Sequence, residues 1–355
     1  MAPVIKVLQE KRGFESIVCV TAQHRQMLDQ VLDLFKIKPD LDLDLMQPNQ
    51  SLAGLSAAIF SHLDPVLEKV KPDWVLVQGD TTSVAITSLS AYYRQIRLGH
   101  VEAGLRTHDK WQPFPEEINR RVAGVVADLH FAPTDWTKQN LVAEGVPEKD
   151  IYVTGNPVID ALHMVASQPE PQEMVNLFKK LSLLNGRRLI LVTAHRRENF
   201  GLPMENIFKA IIELAKRGDL EFVYPVHLNP NVQQPAFRLL KDIPHVTLLP
   251  PLDYLPMVHL MKHANLVLTD SGGIQEEAPA FGIPTLVLRN LTERPEGVAA
   301  GTLKLVGTDT SVIMKESNTL LDDPEAYSKM AKAVNPFGDG HAAQRIIAAL
   351  EGYPN

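Results

Sequence analysis

Short apolar, β-branched runs recur along the chain, at 17–21, 74–78, 99–102, 130–133 and 151–154, separated by amphipathic stretches such as 26–35 and 51–70. A strand, a helix-length crossover and another strand are met most simply by parallel pairing, so this rhythm predicts an α/β chain. Around 167–173 the text becomes S-Q-P-E-P-Q-E, which predicts a linker, and the alternation then resumes at 189–193, 222–226, 246–249, 266–269 and 285–288. Two α/β domains are expected, over 1–165 and 175–338. With 355 residues, 45% of them hydrophobic, the chain can bury two cores. Ligands of parallel sheets meet the carboxyl ends of strands, and a cleft between the domains is the expected site.

Several function classes fall away on charge and composition. With 35 basic against 42 acidic side chains the formal charge is −7, which disfavours nucleic acid as a partner. A single cysteine, Cys19, excludes an internal disulfide framework and any multi-cysteine metal site. No run approaches 18 apolar residues and no export-signal pattern opens the chain, so the expectation is a cytoplasmic protein with no membrane partner. Residues 1–11 (MAPVIKVLQEK) read as a helix with no strand ahead of it to complete a right-handed crossover, and a first strand preceding Met1 is expected.

Chemistry concentrates just after the strands. The run at 74–78 enters G-D-T-T-S (79–83), where Asp80 reads either as a helix cap or as a ligand-facing acid. The next strand end, G-H-V-E-A-G-L-R (99–106), sets Glu102 near a glycine. In P-F-P-E-E-I-N-R-R (113–121), Glu116 and Glu117 follow Pro115, an order that also suits an ordinary helix start with Pro115 at its first position. Asp80, Glu102 and Glu116 converging on one cleft would repel one another and raise at least one pKa, as acid–base work near neutrality requires. These motifs hold no D-x-D at a strand end and no close histidine, so no metal is expected. Asp42 and Asp44 form a D-x-D in an edge-like segment and are read as solvated.

The second half carries anion-seeking groups. L-V-T-A-H-R-R-E-N (191–199) puts His195, Arg196 and Arg197 directly after a strand, free to meet an anion or to pair with Glu198. In T-D-S-G-G-I-Q-E-E-A-P (269–279), a strand runs into Ser271, Gly272 and Gly273 at a helix start, a cradle for a diphosphate that matches neither a P-loop nor a dinucleotide fingerprint. Glu277, one turn on, suits ribose hydroxyls. Arg294 follows the next strand as a second phosphate or sugar ligand, and His227 ends another.

Together the strings TAQHRQMLDQVL (21–32), GDTTS (79–83), GHVEAGLRT (99–107), PFPEEINR (113–120), TAHRREN (193–199), PVHLNPNV (225–232), TDSGGIQEEAP (269–279), TERPEG (292–297) and NPFGDG (335–340) resemble the bacterial non-hydrolysing UDP-N-acetylglucosamine 2-epimerases over almost the whole chain. The resemblance implies two Rossmann-like domains of the glycosyltransferase-B type facing a central cleft, with 339–355 rejoining the first. It implies an isomerase of UDP-GlcNAc and UDP-ManNAc that abstracts the C2 proton, eliminates UDP and re-adds it through a 2-acetamidoglucal, without metal or other cofactor. Asp80, Glu102 and Glu116 then carry protons and His195 assists at the diphosphate. Ser271, Gly272, Gly273, Glu277 and Arg294 hold UDP, and Met257 borders uracil. The family's regulatory UDP-GlcNAc site is matched by Gln23, Gln26, Gln50 and His227, and a homodimer is implied. In the family a strand and a G-T-R-P-E-A-I-K loop stand just ahead of the M-A-P at 1–3. Two other readings stay open: a glycosyltransferase of the same architecture, or a UDP-sugar-binding protein inactive without that segment.

Overall fold

All strand pairings are parallel. The computed structural model describes residues 1–21, 25–45, 47, 50–181 and 186–354, with the side chains of Gln26 and Met27 outside the description. The strands are β1 (Cys19–Val20), β2 (Leu41–Asp42), β3 (Trp74–Gln78), β4 (Arg97–Val101), β5 (Leu129–Ala132), β6 (Ile151–Val153), β7 (Arg188–Thr193), β8 (Leu220–Pro225), β9 (Val246–Leu249), β10 (Leu266–Thr269), β11 (Thr285–Val287) and β12 (Leu303–Leu305). The chain divides into one unit of Met1–Ala161 with Gly338–Asn355, and a second of Leu162–Phe337.

In the first unit β3, β4, β5 and β6 pair in chain order, while β1 and β2 form a separate ladder. The expected strand at 17–21 shortens to two paired residues, with Val18 and Val20 buried and Ile17 and Cys19 exposed. Near its end the Thr21 hydroxyl lies 3.1 Å from that of Ser83, at the start of the helix that follows β3. Helix Ala2–Glu10 forms as the sequence suggests, and Val4 packs with Val101, Phe131, Ile346 and Ile347 in one cluster.

The second unit orders its six strands β12-β11-β10-β7-β8-β9. From β7 the chain winds outward one way through β8 and β9, then returns to β10 on the other side and winds outward through β11 and β12. The winding therefore reverses between β7 and β10, and a crevice at the carboxyl ends of those two strands is the expected ligand position in a doubly wound sheet. Buried aliphatic and aromatic residues of β7, β8 and β10, with helix Leu202–Ala215, fill the core. β12 escaped the sequence reading because Lys304 interrupts a run of three residues.

The division between units falls earlier than the proline-containing stretch suggested. Helix Pro157–Ala166 runs through it, and Glu173 already belongs to helix Gln172–Lys180. The polar stretch is tied within the second unit, with His263 Nε2 2.8 Å from Glu170 and Lys262 donating to the Ala166 carbonyl at 3.3 Å. Its composition marks an exposed connection between helices rather than the boundary of a core.

Helix Ala342–Glu351 is anchored in the first unit by a tertiary cap. The buried Asp160 carboxylate accepts from the backbone N–H groups of Ala342 and Ala343 at 3.1 and 2.8 Å, two donors that a helix start leaves without an internal partner. Burial pushes that carboxyl up, and the two amides oppose the shift. Replacing Asp160 with alanine strands both donors and should lower stability by about 1–3 kcal/mol in urea unfolding. An unchanged midpoint would remove Asp160 from the anchor.

Candidate functional site

Asp80 does not cap the helix after β3. Thr81 does, accepting from Val84 N–H at 3.3 Å, and the Asp80 carboxylate instead accepts from Arg120 Nη2. The same guanidinium donates through Nη1 to Glu117 at 3.3 Å. Glu117 is fully buried and also accepts from the backbone of Thr107 at 3.1 Å and His108 at 3.2 Å. Arg120 thus ties the turn after β3 to helix Glu116–Val126, and Glu117 ties that helix to the segment after β4. Pro115 stands one position earlier than expected, as the residue before the helix, so that Glu116 and Glu117 form its first turn. Glu116 is half-buried and makes no side-chain hydrogen bond or ion pair with the described residues, whereas Glu117 is consumed in holding the loop.

Glu102 directly follows β4 with φ at +63°, a left-handed conformation that costs a non-glycine residue on the order of 1–2 kcal/mol. The strain aims its carboxylate back along the neighbouring strand, where Oε2 accepts from Gln78 Nε2 at 3.3 Å and lies 3.9 Å from where a side chain on Gly79 would begin. Gly79, at φ +83°, is held by the buried His100, whose Nε2 is 2.8 Å from its carbonyl oxygen. Burial drops the His100 imidazole to about 4, so it is neutral and donates this bond through Nε2–H. Asp80 and Glu102 therefore stand just past the carboxyl ends of β3 and β4, Glu116 begins the helix that Arg120 joins to Asp80, and the sequence reading missed the residues that hold these turns, His100 and Arg120. Their signals were a histidine inside the strand of G-H-V-E and an arginine one turn beyond Glu116.

In the second unit His195 follows β7 and Ser271 follows β10, on either side of the point where the winding reverses. Between them the buried Asp270 carboxylate accepts from the backbone of His195 and Arg196, both at 2.8 Å, and from Asn199 Nδ2 at 3.0 Å. Burial holds His195 below the ordinary imidazole range, with Arg196 and His227 adding to the shift and Asp270 opposing it. The His227 ring stacks on His195 at 5.5 Å and 14°, and its Nδ1 accepts from Asn229 N–H at 3.0 Å. Glu198 pairs with Arg289 at 2.6 Å, not with its neighbours Arg196 and Arg197.

Gly272 and Gly273 open a helix of six residues, Gly272–Glu277. A side chain on Gly272 would begin 3.4 Å from Arg196 Nη2, while one on Gly273 would enter open space, the room a ligand needs. Arg294 is docked on this helix by its ion pair with the buried Glu276, and the Thr292 hydroxyl bonds Gln275 nearby at 2.5 Å. Its guanidinium is thus held in place by an acid of the same helix. Glu277 is buried and accepts from the Tyr254 hydroxyl at 3.1 Å. Tyr254 lies one turn before the half-buried Met257 in helix Tyr254–Lys262 and is an aromatic the sequence reading passed over.

Of the expected regulatory residues, Gln23 lies outside the described residues, as does the Gln26 side chain. Gln50 belongs to the first unit and His227 to the second. Asp42 and Asp44 both accept from Arg25, at 2.6 and 2.7 Å. No helix among the described residues is long and apolar enough to cross a membrane.

Parallel sheets in two units, one doubly wound, with ionisable groups at the carboxyl ends of their strands, define a two-unit α/β chain with the makings of an enzyme site. A structure from Anabaena, in complex with UDP and glucose, is similar in fold alone, with a TM-score of 0.66 at 16% identity over 99% of this chain and 95% of that one. The family model described as UDP-N-acetylglucosamine 2-epimerase matches residues 6–351. A UDP-N-acetylglucosamine 2-epimerase of Yersinia pestis is 53% identical over 99% of this chain and 95% of its own, and one from Escherichia coli K12 is 51% identical over 99% and 94%. The structure of the Neisseria meningitidis UDP-GlcNAc 2-epimerase bound to UDP-GlcNAc has a TM-score of 0.88 and 49% identity over 99% of this chain and 96% of that one. The chain belongs to the UDP-N-acetylglucosamine 2-epimerase family, and is an isomerase.

Burial raises the Glu277 carboxyl from an ordinary 4.5 to about 7, with Glu276 adding to the shift and the Tyr254 hydroxyl opposing it. The folded state therefore favours the protonated form. The associated stability is complete below about 4.5 and lost as pH rises through about 7. Glu277→Gln, which cannot ionise, should match the wild type near pH 4.5 and exceed it at pH 8 by up to about 3 kcal/mol. Equal thermal midpoints of the two proteins at both pH values would show that Glu277 titrates normally.

Proposed function

We propose that the protein interconverts UDP-GlcNAc and UDP-ManNAc through elimination and re-addition of UDP. A carboxylate of the first unit removes the C2 proton. The C–H electron pair forms the C1–C2 double bond as the C1–O bond breaks, and its electrons leave on the β-phosphate oxygen of UDP. Protonation at C2 on the opposite face and return of that oxygen to C1 complete the inversion. Asp80, Glu102 and Glu116 share the proton transfers, each at a strand or helix end. The observation that carries this reading is the joining of Asp80 to the first turn of helix Glu116–Val126 through Arg120, with Glu102 strained toward the same strand ends.

The second unit binds the nucleotide. Ser271, Gly272 and Gly273 receive the diphosphate, Arg294 stands beside them, and Glu277 accepts from the ribose hydroxyls. Tyr254 and Met257 border the uracil. His195 faces the departing diphosphate, whose negative charge draws the imidazole toward its protonated form. His227 is the second unit's contribution to the regulatory UDP-GlcNAc site that the family resemblance implies, and its ring stacks on that of His195. A homodimer is the working assembly.

Proton NMR in deuterated water tests the mechanism, since label must enter C2 of the UDP-sugar. Asp80→Asn and Glu102→Gln should each slow label entry and epimerisation by at least about 100-fold while largely sparing UDP affinity. Normal rates in both variants would take these acids out of the reaction. Release of UDP only when a sugar acceptor is added would instead mark a transferase.

A further inference from the structure

We propose that Asp270 is the positioning residue of His195, orienting its imidazole from the turn that follows β10, across to the loop after the paired strand β7; this rests on the role given to His195 above. The position is built rather than incidental. Asp270 directly follows β10 and is fully buried, and its Oδ2 accepts three bonds, from His195 N–H, Arg196 N–H and the Asn199 amide. Oδ1 takes the His195 amide at 3.0 Å and lies 3.4 Å from His195 Nδ1. A carboxylate offers about four acceptor sites; three N–H groups occupy it, the His195 amide bridging both oxygens, and the His195 ring nitrogen is the next neighbour of Oδ1. Asn199 is itself fixed, donating also to the Leu288 carbonyl at 3.1 Å.

Two constraints then act on one ring. The parallel stack with His227 sets its plane, and Asp270 beside Nδ1 selects the tautomer with the proton on that nitrogen. Nε2 is left as the working atom. A half-buried imidazole held below its ordinary range is a poor partner for a developing diphosphate charge unless protonation is made easier. Among the groups that face it, Arg196 and His227 resist protonation and Asp270 favours it. The arrangement follows the general pattern in which a third group orients a histidine that exchanges protons with a substrate. Turn-holding alone explains the backbone bonds but not the approach of Oδ1 to Nδ1.

Nitrogen-15 NMR of the histidine rings in the wild-type protein gives the first test. His195 should appear as the Nδ1–H tautomer, and titration with UDP should move its pH midpoint upward. An Nε2–H tautomer would overturn the proposal without any variant. A kinetic cycle of Asp270→Asn, His195→Gln and the double variant gives the second. Asp270→Asn should lower kcat at least about tenfold, lose the tautomer signature and have little further effect once His195 is already replaced. Equal factors in both backgrounds would make Asp270 a structural residue only. Undiminished turnover in His195→Gln would overturn the role of His195 itself, whereas a normal His195 signature in Asp270→Asn overturns the present proposal and leaves that role standing.

Discussion

One guanidinium shared between two acids holds the first unit's chemistry together. Arg120 donates to a buried Glu117 on one side and to a partly exposed Asp80 on the other, and its rigid fork fixes the separation of the two elements that carry them. Breaking such a pair by removing one partner costs far more than the pair contributes, because the remaining charge stays buried. The geometry of Glu116 is inherited from this arrangement: its immediate neighbour is pinned to Arg120 and to two backbone amides, so the first turn of the helix has little freedom.

The second unit solves the same electrostatic problem by other means. Asp270 is satisfied by amide donors from the loop after the neighbouring strand, and Glu277 is left with a tyrosine hydroxyl and moves toward neutrality. The contrast follows from position. Where the winding of a doubly wound sheet reverses, adjacent strand ends splay apart and expose backbone N–H groups, and an acid placed there finds donors without needing a cation.

Much of this was legible in the amino-acid order. Short apolar, β-branched runs located ten of the twelve strands among the described residues, and the acids of G-D-T-T-S and V-E-A-G stand just past strand ends while that of P-E-E opens a helix. What stayed hidden was mostly the supporting cast. His100, Arg120, Tyr254 and Asp270 each look ordinary in the sequence, because their importance lies in partners distant along the chain: 21 residues for His100 and Gly79, 40 for Arg120 and Asp80, and 75 for Asp270 and His195. Local periodicity carries no record of such pairings. The limit between units was misplaced for a related reason, since a polar, proline-bearing stretch reports solvent exposure, and the helix that crosses the true limit has no break in its pattern.

The anchoring of the last helix by Asp160 has a consequence for how the molecule comes into being. Residues 162–337 lie between the two pieces of the first unit, so on the ribosome the inserted unit emerges whole while its host still lacks the helix that closes one side of its core. Vectorial synthesis then favours early completion of the second unit, with the first waiting, partly open, until the segment Ala342–Glu351 leaves the exit tunnel. A nascent chain arrested just short of that segment would present one finished unit and one that chaperones must shield.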